Sequence, residues 1–532
     1  MPGDHGTHPP ADPADLADLV GAAAAEQPAA PALVESDGVR LTWAELDEQV
    51  SRVASGLNHL GVVGGQRVMV VLPNRRELVT TYLGTLRAQA VAVPVNPGST
   101  AHEVGRMIAD SGSRVVVADA TTVDRVREAL ADGAEAQLVL VGAEPRAGET
   151  AFEVLEATEP RPVPALRDPG KLAALLYTSG ASGRPRAAML THRALLANVD
   201  QVAAVEPPLI RADDVVLGVL PLFHVYGLNA VLGGVLRHRA TLVLVDRFDP
   251  QGTLDVIEDH SCTVVPVAPP VFNHWLALDG AGGSGGVLRE RLAGVRLVVS
   301  GSAALAAEVA QEFADRSGVP VHQGYGLTEA APVVTSTLCS QGSQGPVPGS
   351  VGAALPGIDL RLVDDDGRPP EGDDPGEIWI RGDNLFSGYW PDGADGPDED
   401  GWWATGDVGI LDPAGDLVLV DRVKDLVIVS GFNVYPREVE EVLREVDGVL
   451  DAAVVGADDP DTGEAVVAYV RAPGADPQAV VDAVRRHCEA QLARFKQPSR
   501  IEVVDELPLT VTGKVRKGML RGLERRRSTG LL

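Results

Sequence analysis

Apolar and polar positions follow two alternating periods along much of the chain. In "LTWAELDEQVSRVASGLNHLG", Leu46, Val50, Val53, Leu57 and Leu60 recur at helical spacing, and Gly61 marks the stop. "RVMVVLP" is a short apolar run that predicts a buried strand. "ELVTTYLGTLRAQA" returns to helix and "VAVPVN" to strand; "HEVGRMIADSG" and "RVVVAD" repeat the cycle. The rhythm resumes with "LVLV", "DVIEDHS", "CTVVPVA" and "VRLVVSGSAAL". Helix and strand in turn predict an α/β fold of mostly parallel sheet covered by helices.

Between Gly352 and Val420 the pattern changes. "IDLRLVDDDG", "GEIWIRG" and "DLVLVDR" are short strands separated by Gly and Pro turns, as in a small antiparallel unit. "YWPDGADGPDEDGW" is acidic, rich in Pro and Gly, and reads as a mobile loop. After Arg422, "VKDLVIVSGFNVYPREVEEVLREVDGVLDAAVVGADD" reads as strand, loop, amphipathic helix and strand, and "AVVDAVRRHCEAQL" as a further helix. This last stretch, about 110 residues, has the size of a domain. The expected division is a large N-terminal domain, residues 1–422, and a small C-terminal α+β domain, residues 423–532.

Composition narrows the function classes. The chain has 532 residues, 45% hydrophobic and 23% charged, within the ordinary globular range. Aromatics make up only 4%, so the cores rest on Leu, Val and Ala. A formal net charge of −30 leaves no basic footprint for nucleic acid, and "RGLERRRSTG" reads as a solvated terminus. Cys262, Cys339 and Cys488 lie far apart with no CxxC pair, which argues against a zinc knuckle or disulfide framework and suits a reducing cytoplasm. "MPGDHGTHPPADPADLADLV" has no secretion pattern, and "TGLL" is no peroxisomal address. "VVLGVLPLFHVYGLNAVLGGVL", Val215 to Leu236, is long enough for a membrane span, about 20 residues, but Pro221, His224, Asn229 and several glycines break it. It reads as a buried strand, a loop and a buried helix.

Chemistry concentrates in a few motifs. "YTSGASGRPRAAMLTH", Tyr177 to His192, reads as a strand entering a Gly/Ser loop and then a helix, an arrangement that binds phosphate through bared N–H groups and a helix N-terminus. It does not satisfy the Walker pattern. Four further stretches follow: "QGYGLTEA", "GWWATGD", "DRVKDLVIVSGFNVYPREVE" and "LPLTVTGKVRKGML". In this order, from about Leu41 to Leu520, the chain resembles the adenylate-forming superfamily of acyl-CoA synthetases, peptide-synthetase adenylation domains and luciferases.

The resemblance implies a two-step reaction. A carboxylate and ATP give an acyl adenylate, and the acyl group then passes to a thiol. Two unit charges about 4 Å apart repel by about 4 kcal/mol at an effective dielectric near 20, so cations and fixed dipoles must offset that repulsion. By resemblance, Thr178, Ser179, Gly180, Ser182, Gly183 and Arg186 hold the β- and γ-phosphates, and Gly324, Tyr325 and Gly326 form the adenine site, with Tyr325 stacking on the base. Thr328 and Glu329 face the α-phosphate and Mg²⁺, with Thr178 as a second candidate near the metal. Asp407 and Arg422 match the ribose contacts. Lys514 matches the lysine that bridges substrate carboxylate and α-phosphate. Lys424 matches the hinge about which the small domain swings, and Gly431 the glycine lining the pantetheine tunnel. His224 matches an aromatic gate to the acyl pocket, with Gly301 and Ser302 in its wall ("SGSAAL") and apolar lining from "VAPPVF".

Some positions depart from the family pattern. The commonest phosphate loop reads TSGTTG, one residue, then PKG; here Ala181, Arg186 and Ala187 replace a threonine, the lysine and the final glycine. The loop before "DGWWATGD" is shortened and acidic. "DRVKDLVIVSGFNVYPREVE" and "AAMLTHRALLAN" look most like bacterial medium- and long-chain fatty acyl-CoA ligases. Ile428 stands where plant-type aryl ligases carry lysine, and no aspartate follows "PLFHVYG" to hold an amino-acid substrate. The implied substrates are a fatty acid, ATP and CoA, handled by a monomer or homodimer. The alternatives are another carboxylate–CoA ligase, a ligase loading a carrier protein, a specialised-metabolism relative, or a non-catalytic binder.

Overall fold

The computed structural model describes residues 13–528 apart from 37, 164–167, 179–184, 282–285, 304, 342–348, 365, 373, 423–424, 430–431, 460–461, 493 and 511–512. Two seven-stranded sheets dominate the N-terminal part. The first contains Pro31–Glu35, Val215–Gly218, Thr241–Leu244, Val264–Val267, Leu297–Ser300 and Val321–Gln323 in parallel, with Arg40–Thr42 antiparallel at one edge. In the second, Arg67–Val71, Val91–Pro94, Ser113–Asp119, Gln137–Val141, Thr150–Ala151 and Leu172–Thr178 are parallel, and Arg186–Thr191 turns back antiparallel. The mostly parallel α/β expectation holds.

A single apolar core lies between the two sheets. It joins Leu33, Val216 and Leu242 of the first to Val68, Val70 and Val117 of the second, through helices Leu16–Glu26, Trp43–His59, Arg76–Arg87 and His192–Ala203. Trp43, Leu46, Val50, Val53 and Leu57 are fully buried there, the face that the helical spacing marked out. Thr42 and Glu45 close a capping box at that helix's start.

Asp359–Val363, Gly376–Arg381, Trp403–Leu411 and Leu417–Arg422 form the small antiparallel sheet. The C-terminal lobe has its own core around Val434, Val439, Leu443, Val454 and Val484. Its strands include Val427–Val429, Phe432–Val434, Asp451–Asp459, Gly463–Arg471 and Arg500–Val504. Phe432–Val434, read as loop, is thus a strand. Val215–Leu236 resolves into a strand, a π-helical turn (Tyr226–Gly233) and a short helix (Gly234–His238). Among the described residues no helix is long and apolar enough to cross a membrane.

Three local expectations are corrected. "AAMLT" is not helical: Ala187, Ala188, Met189 and Leu190 pair with Tyr177, Leu176, Leu175 and Ala174, and the helix starts only at His192, capped by Thr191. The strands on either side of the Gly/Ser segment therefore pair antiparallel, and the first helix after it begins only at His192. The acidic segment at 389–402 is stitched into tight turns, with Tyr389 N donating to Ala394 O (2.9 Å) and Gly393 N to Tyr389 O (2.8 Å). The basic tail is structured too: Lys517–Ser528 is a helix whose Arg521 pairs with Asp425, and whose Arg527 pairs with Glu502 (2.7 Å) and lies 3.5 Å from the buried Glu524.

Candidate active site

A cleft of about 3050 Å³ opens between the C-terminal ends of the parallel strands and the small lobe. Strand ends converge there because each parallel strand finishes at the same edge and its chain then turns away into a helix, leaving the crevice open. Ser300 and Gly301 reach the cleft in this way, ahead of helix Ala307–Ser317; Gln323 and Gly324 reach it ahead of the 3₁₀ turn Thr328–Ala330, and Thr178 reaches it at the end of a strand that pairs antiparallel with Arg186–Thr191.

Thr328 and Glu329 sit on a single 3₁₀ turn, Thr328–Ala330, closed by Ala331 in the left-handed region (φ 61°). Two buried amides fasten this turn from behind. Asn229 Nδ2 donates to Ala331 O (2.6 Å) and Asn384 Nδ2 to Ala330 O (2.7 Å). Glu329 is 8% exposed, and its Oε1 accepts from the Tyr389 hydroxyl at 2.6 Å. The hairpin carrying Gly324 and Gly326 is packed against its return strand so closely that a Cβ at either would meet Thr335 O (2.6 Å) or Pro332 O (2.3 Å).

Asp407 is 7% exposed on strand Trp403–Leu411 and lies directly opposite Arg422 in the ladder. Its Oδ2 accepts from the Tyr325 hydroxyl (2.7 Å). The ring read only as a stacking platform thus also fixes this carboxylate.

The small lobe contributes a hairpin turn. Thr510 N donates to Lys514 O (2.7 Å), Gly513 N to Thr510 O (3.0 Å), and Lys514 N to Thr510 Oγ1 (3.0 Å). The tip presses on Pro270 of the large lobe: a Cβ at Gly513 would lie 2.3 Å from Pro270 Cγ. Gly513 also has φ +83°, so both space and backbone call for glycine. This docking brings Lys514 into the cleft that Thr328, Glu329 and Asp407 line. Arg437 makes a second tie between the lobes, donating to Leu419 O at 2.6 Å.

His224 lies near Lys514. Burial first, and the Lys514 charge second, lower its pKa to about 4, so the ring is neutral at ordinary pH. Its Nδ1 accepts from Tyr226 N (3.3 Å). Across the pocket a Cβ at Gly301 would lie 2.8 Å from the Tyr226 ring. The Tyr226 hydroxyl and the hydroxyls of Ser300 and Ser302 are buried with no protein partner. Deeper in, Val202, Ile210, Val216, Val231, Val264 and Leu297 continue the lining into the core.

The structure thus gathers Thr178, Arg186, His224, Gly301, Ser302, Gly324, Tyr325, Gly326, Thr328, Glu329, Asp407 and Lys514 around one cleft. Ser179, Gly180, Ser182, Gly183, Lys424 and Gly431 lie outside the described residues. Tyr389, Asn229 and Asn384 were not foreseen. No motif marks them, and each acts through a partner distant in sequence.

Comparison with known proteins matches this geometry. The family model for AMP-binding enzyme covers residues 20–390, and that for AMP-binding enzyme C-terminal domain covers 438–514. The chain belongs to the AMP-binding enzyme family, as an AMP-forming ligase of the adenylate-forming superfamily its motifs resemble. Among its relatives is 4-coumarate–CoA ligase 3 of Oryza sativa subsp. japonica, 34% identical over 93% of this chain and 90% of the relative. The long-chain-fatty-acid–CoA ligase of Bacillus subtilis is 32% identical over 90% and 89%. MatB from Rhodopseudomonas palustris, 32% identical, superposes with TM-score 0.84 in its ATP-bound form, over 96% of this chain and 99% of that one. Its apo form superposes with 0.73, over 95% and 98%.

Proposed function

We propose that this enzyme joins an apolar carboxylic acid, a medium- or long-chain fatty acid, to CoA, converting ATP to AMP and pyrophosphate. The observation that carries the reading is the Gly513–Lys514 turn seated in the cleft beside His224 and facing the Thr328–Glu329 turn and Asp407. A carboxylate oxygen attacks the α-phosphorus as the bond to pyrophosphate breaks. Lys514 delivers one compact charge between the two anions, where it stabilises the charge that develops in the transition state.

Thr178, Ser179, Gly180, Ser182, Gly183 and Arg186 take the outgoing phosphates. Asp407 and Arg422 hold the ribose, with Tyr325 keeping Asp407 in place, and Tyr325, Gly324 and Gly326 receive the base. Glu329, with the hydroxyls of Thr328 and Thr178, is a hard oxygen donor set that fits a divalent cation completed by phosphate oxygens. When bound, Mg²⁺ offsets negative charge on those phosphates. In the second step residues 423–532 swing about Lys424, Lys514 withdraws, and the CoA thiol enters past Gly431. Its sulfur bonds to the acyl carbon, AMP leaves, and the thiol proton passes to solvent.

The apolar lining from Val202 to Leu297 supports a long alkyl chain. A hydroxylated aromatic acid is the second reading, supported by the unpartnered Tyr226 hydroxyl and by the 4-coumarate–CoA ligases among the relatives. The test is pyrophosphate release with ATP, Mg²⁺ and a panel of fatty and hydroxycinnamic acids, with and without CoA. Highest kcat/KM on C8–C16 acids, with CoA thioester formed, is the expected result. Preference for hydroxycinnamates would overturn the fatty-acid assignment; acyl-AMP that never reaches CoA would overturn the acceptor; no pyrophosphate with any acid would overturn the whole reading.

A further inference from the structure

The segment after Asn384 leads into the acidic stretch that begins at Tyr389 and runs beside strand Arg186–Thr191. Ser387 N donates to Met189 O (2.9 Å), Met189 N to Gly388 O (3.0 Å), and Trp390 N to Ala187 O (2.9 Å). Phe386 N donates to the main-chain oxygen of Glu329 (2.8 Å). Tyr389 is therefore fastened both to that strand and to the turn that carries Glu329.

Its side chain is equally constrained. One edge packs on Phe386 at a centroid distance of 5.0 Å and an interplanar angle of 76°. The guanidinium of Arg186 lies over the ring, 3.8 Å from its centroid, and Asp395 holds that guanidinium at 2.7 Å. The hydroxyl ends on Glu329 Oε1 at 2.6 Å.

We propose that Tyr389 is a positioning residue that aims Glu329 at the cation–triphosphate complex, and that Arg186, held by Asp395, keeps Tyr389 in register with strand Arg186–Thr191. The proposal rests on the reading of Glu329 given above. The choice of a phenol has a physical consequence. A lysine or arginine bound to Glu329 would cancel the charge a cation needs. A neutral hydroxyl satisfies one oxygen, restricts a side chain that otherwise has three rotors, and leaves the negative charge in place. Burial, and next the Glu329 charge and hydrogen bond, push the phenol's pKa up, so it remains a donor throughout the working range. The groups acting on it are Glu329, Arg186 and Asp395, and the last two form an ion pair.

Tyr389→Phe keeps the ring, its edge contact and the stacked guanidinium while deleting the hydroxyl. Mn²⁺ binding to the full-length enzyme with a non-hydrolysable ATP analogue is measured by electron paramagnetic resonance, for the parent, Tyr389→Phe and Glu329→Gln. Affinity of the analogue in EDTA is measured alongside. We expect Tyr389→Phe to weaken Mn²⁺ binding about tenfold, the value of one hydrogen bond to a charged group. Metal-free analogue affinity should stay within twofold, and Glu329→Gln should lose more. Parent-like Mn²⁺ affinity in Tyr389→Phe, with a loss in Glu329→Gln, overturns the inference alone. Parent-like affinity in both overturns the role of Glu329 as well. A fall in metal-free affinity matching the loss of Mn²⁺ would make the ring merely structural and also overturn the inference.

Discussion

Gly513→Ala isolates the docking of the small lobe from the chemistry of Lys514. The added methyl would stand 2.3 Å from Pro270 Cγ and 2.8 Å from its Cδ. Carbon atoms rest at about 3.5–4.0 Å, so the turn must retreat by about 1 Å or more. A proline ring at the start of a helix cannot rotate aside. The left-handed backbone (φ +83°) adds a further cost of about 1 kcal/mol for alanine. Pro270 belongs to the other lobe, so the clash falls on the docked arrangement alone. A displacement of this size at a charge-delivering group corresponds to about a 100-fold loss in rate. We expect pyrophosphate release under single-turnover conditions to slow by that factor. Thioester formation from a supplied acyl adenylate should stay within about threefold, since the proposed swing withdraws Lys514 before that step. Unchanged pyrophosphate release would refute the idea that the seated turn is the adenylating arrangement, and equal losses in both half-reactions would refute its restriction to the first.

Three further outcomes can be checked with the same assays. Lys514→Ala should slow adenylation at least about 100-fold, a few kcal/mol of barrier, with the thioester step from supplied adenylate nearly intact. Gly301→Ala puts a methyl 2.8 Å from the Tyr226 ring, so kcat/KM for the longest accepted acids should fall about tenfold or more while short acids lose less, read from a chain-length series. The His224 pKa of about 4 lies below its unperturbed value, so the ring takes up a proton only in strong acid. His224→Phe should therefore leave the shape of the pH–rate profile unchanged between pH 5.5 and 8, and loss of a limb near pH 6.5 would count against the neutral assignment.

The α/β architecture was legible because helix and strand periods alternate cleanly wherever an element packs on a large sheet. Leu46, Val50, Val53 and Leu57 could be assigned to one face without knowing what they meet. The antiparallel pair flanking the Gly/Ser segment was not legible. Ala187, Ala188, Met189 and Leu190 have helix-forming character, and their strand conformation is imposed by pairing with Leu172–Thr178, a partner that local propensity does not register. The residues proposed for the site were visible only as members of ordered motifs; singly, Glu329, Asp407 and Lys514 look like surface charge. Tyr389, Asn229 and Asn384 left no trace, because each is defined by a long-range contact: to Glu329, Ala331 and Ala330 respectively. The basic tail looked solvated because its distant acidic partners, Asp425 and Glu502, are brought to it only by folding.

Strand Arg186–Thr191 closes one side of the second sheet, where a bare row of amides and carbonyls would invite another chain to pair. Residues 387–390 occupy that row, and the opposite side ends in Thr150–Ala151, too short to template an incoming strand. The same few residues that carry the hydrogen-bond donor to Glu329 thus also shield the molecule from edge-to-edge aggregation. Loosening them should cost solubility on storage as well as turnover.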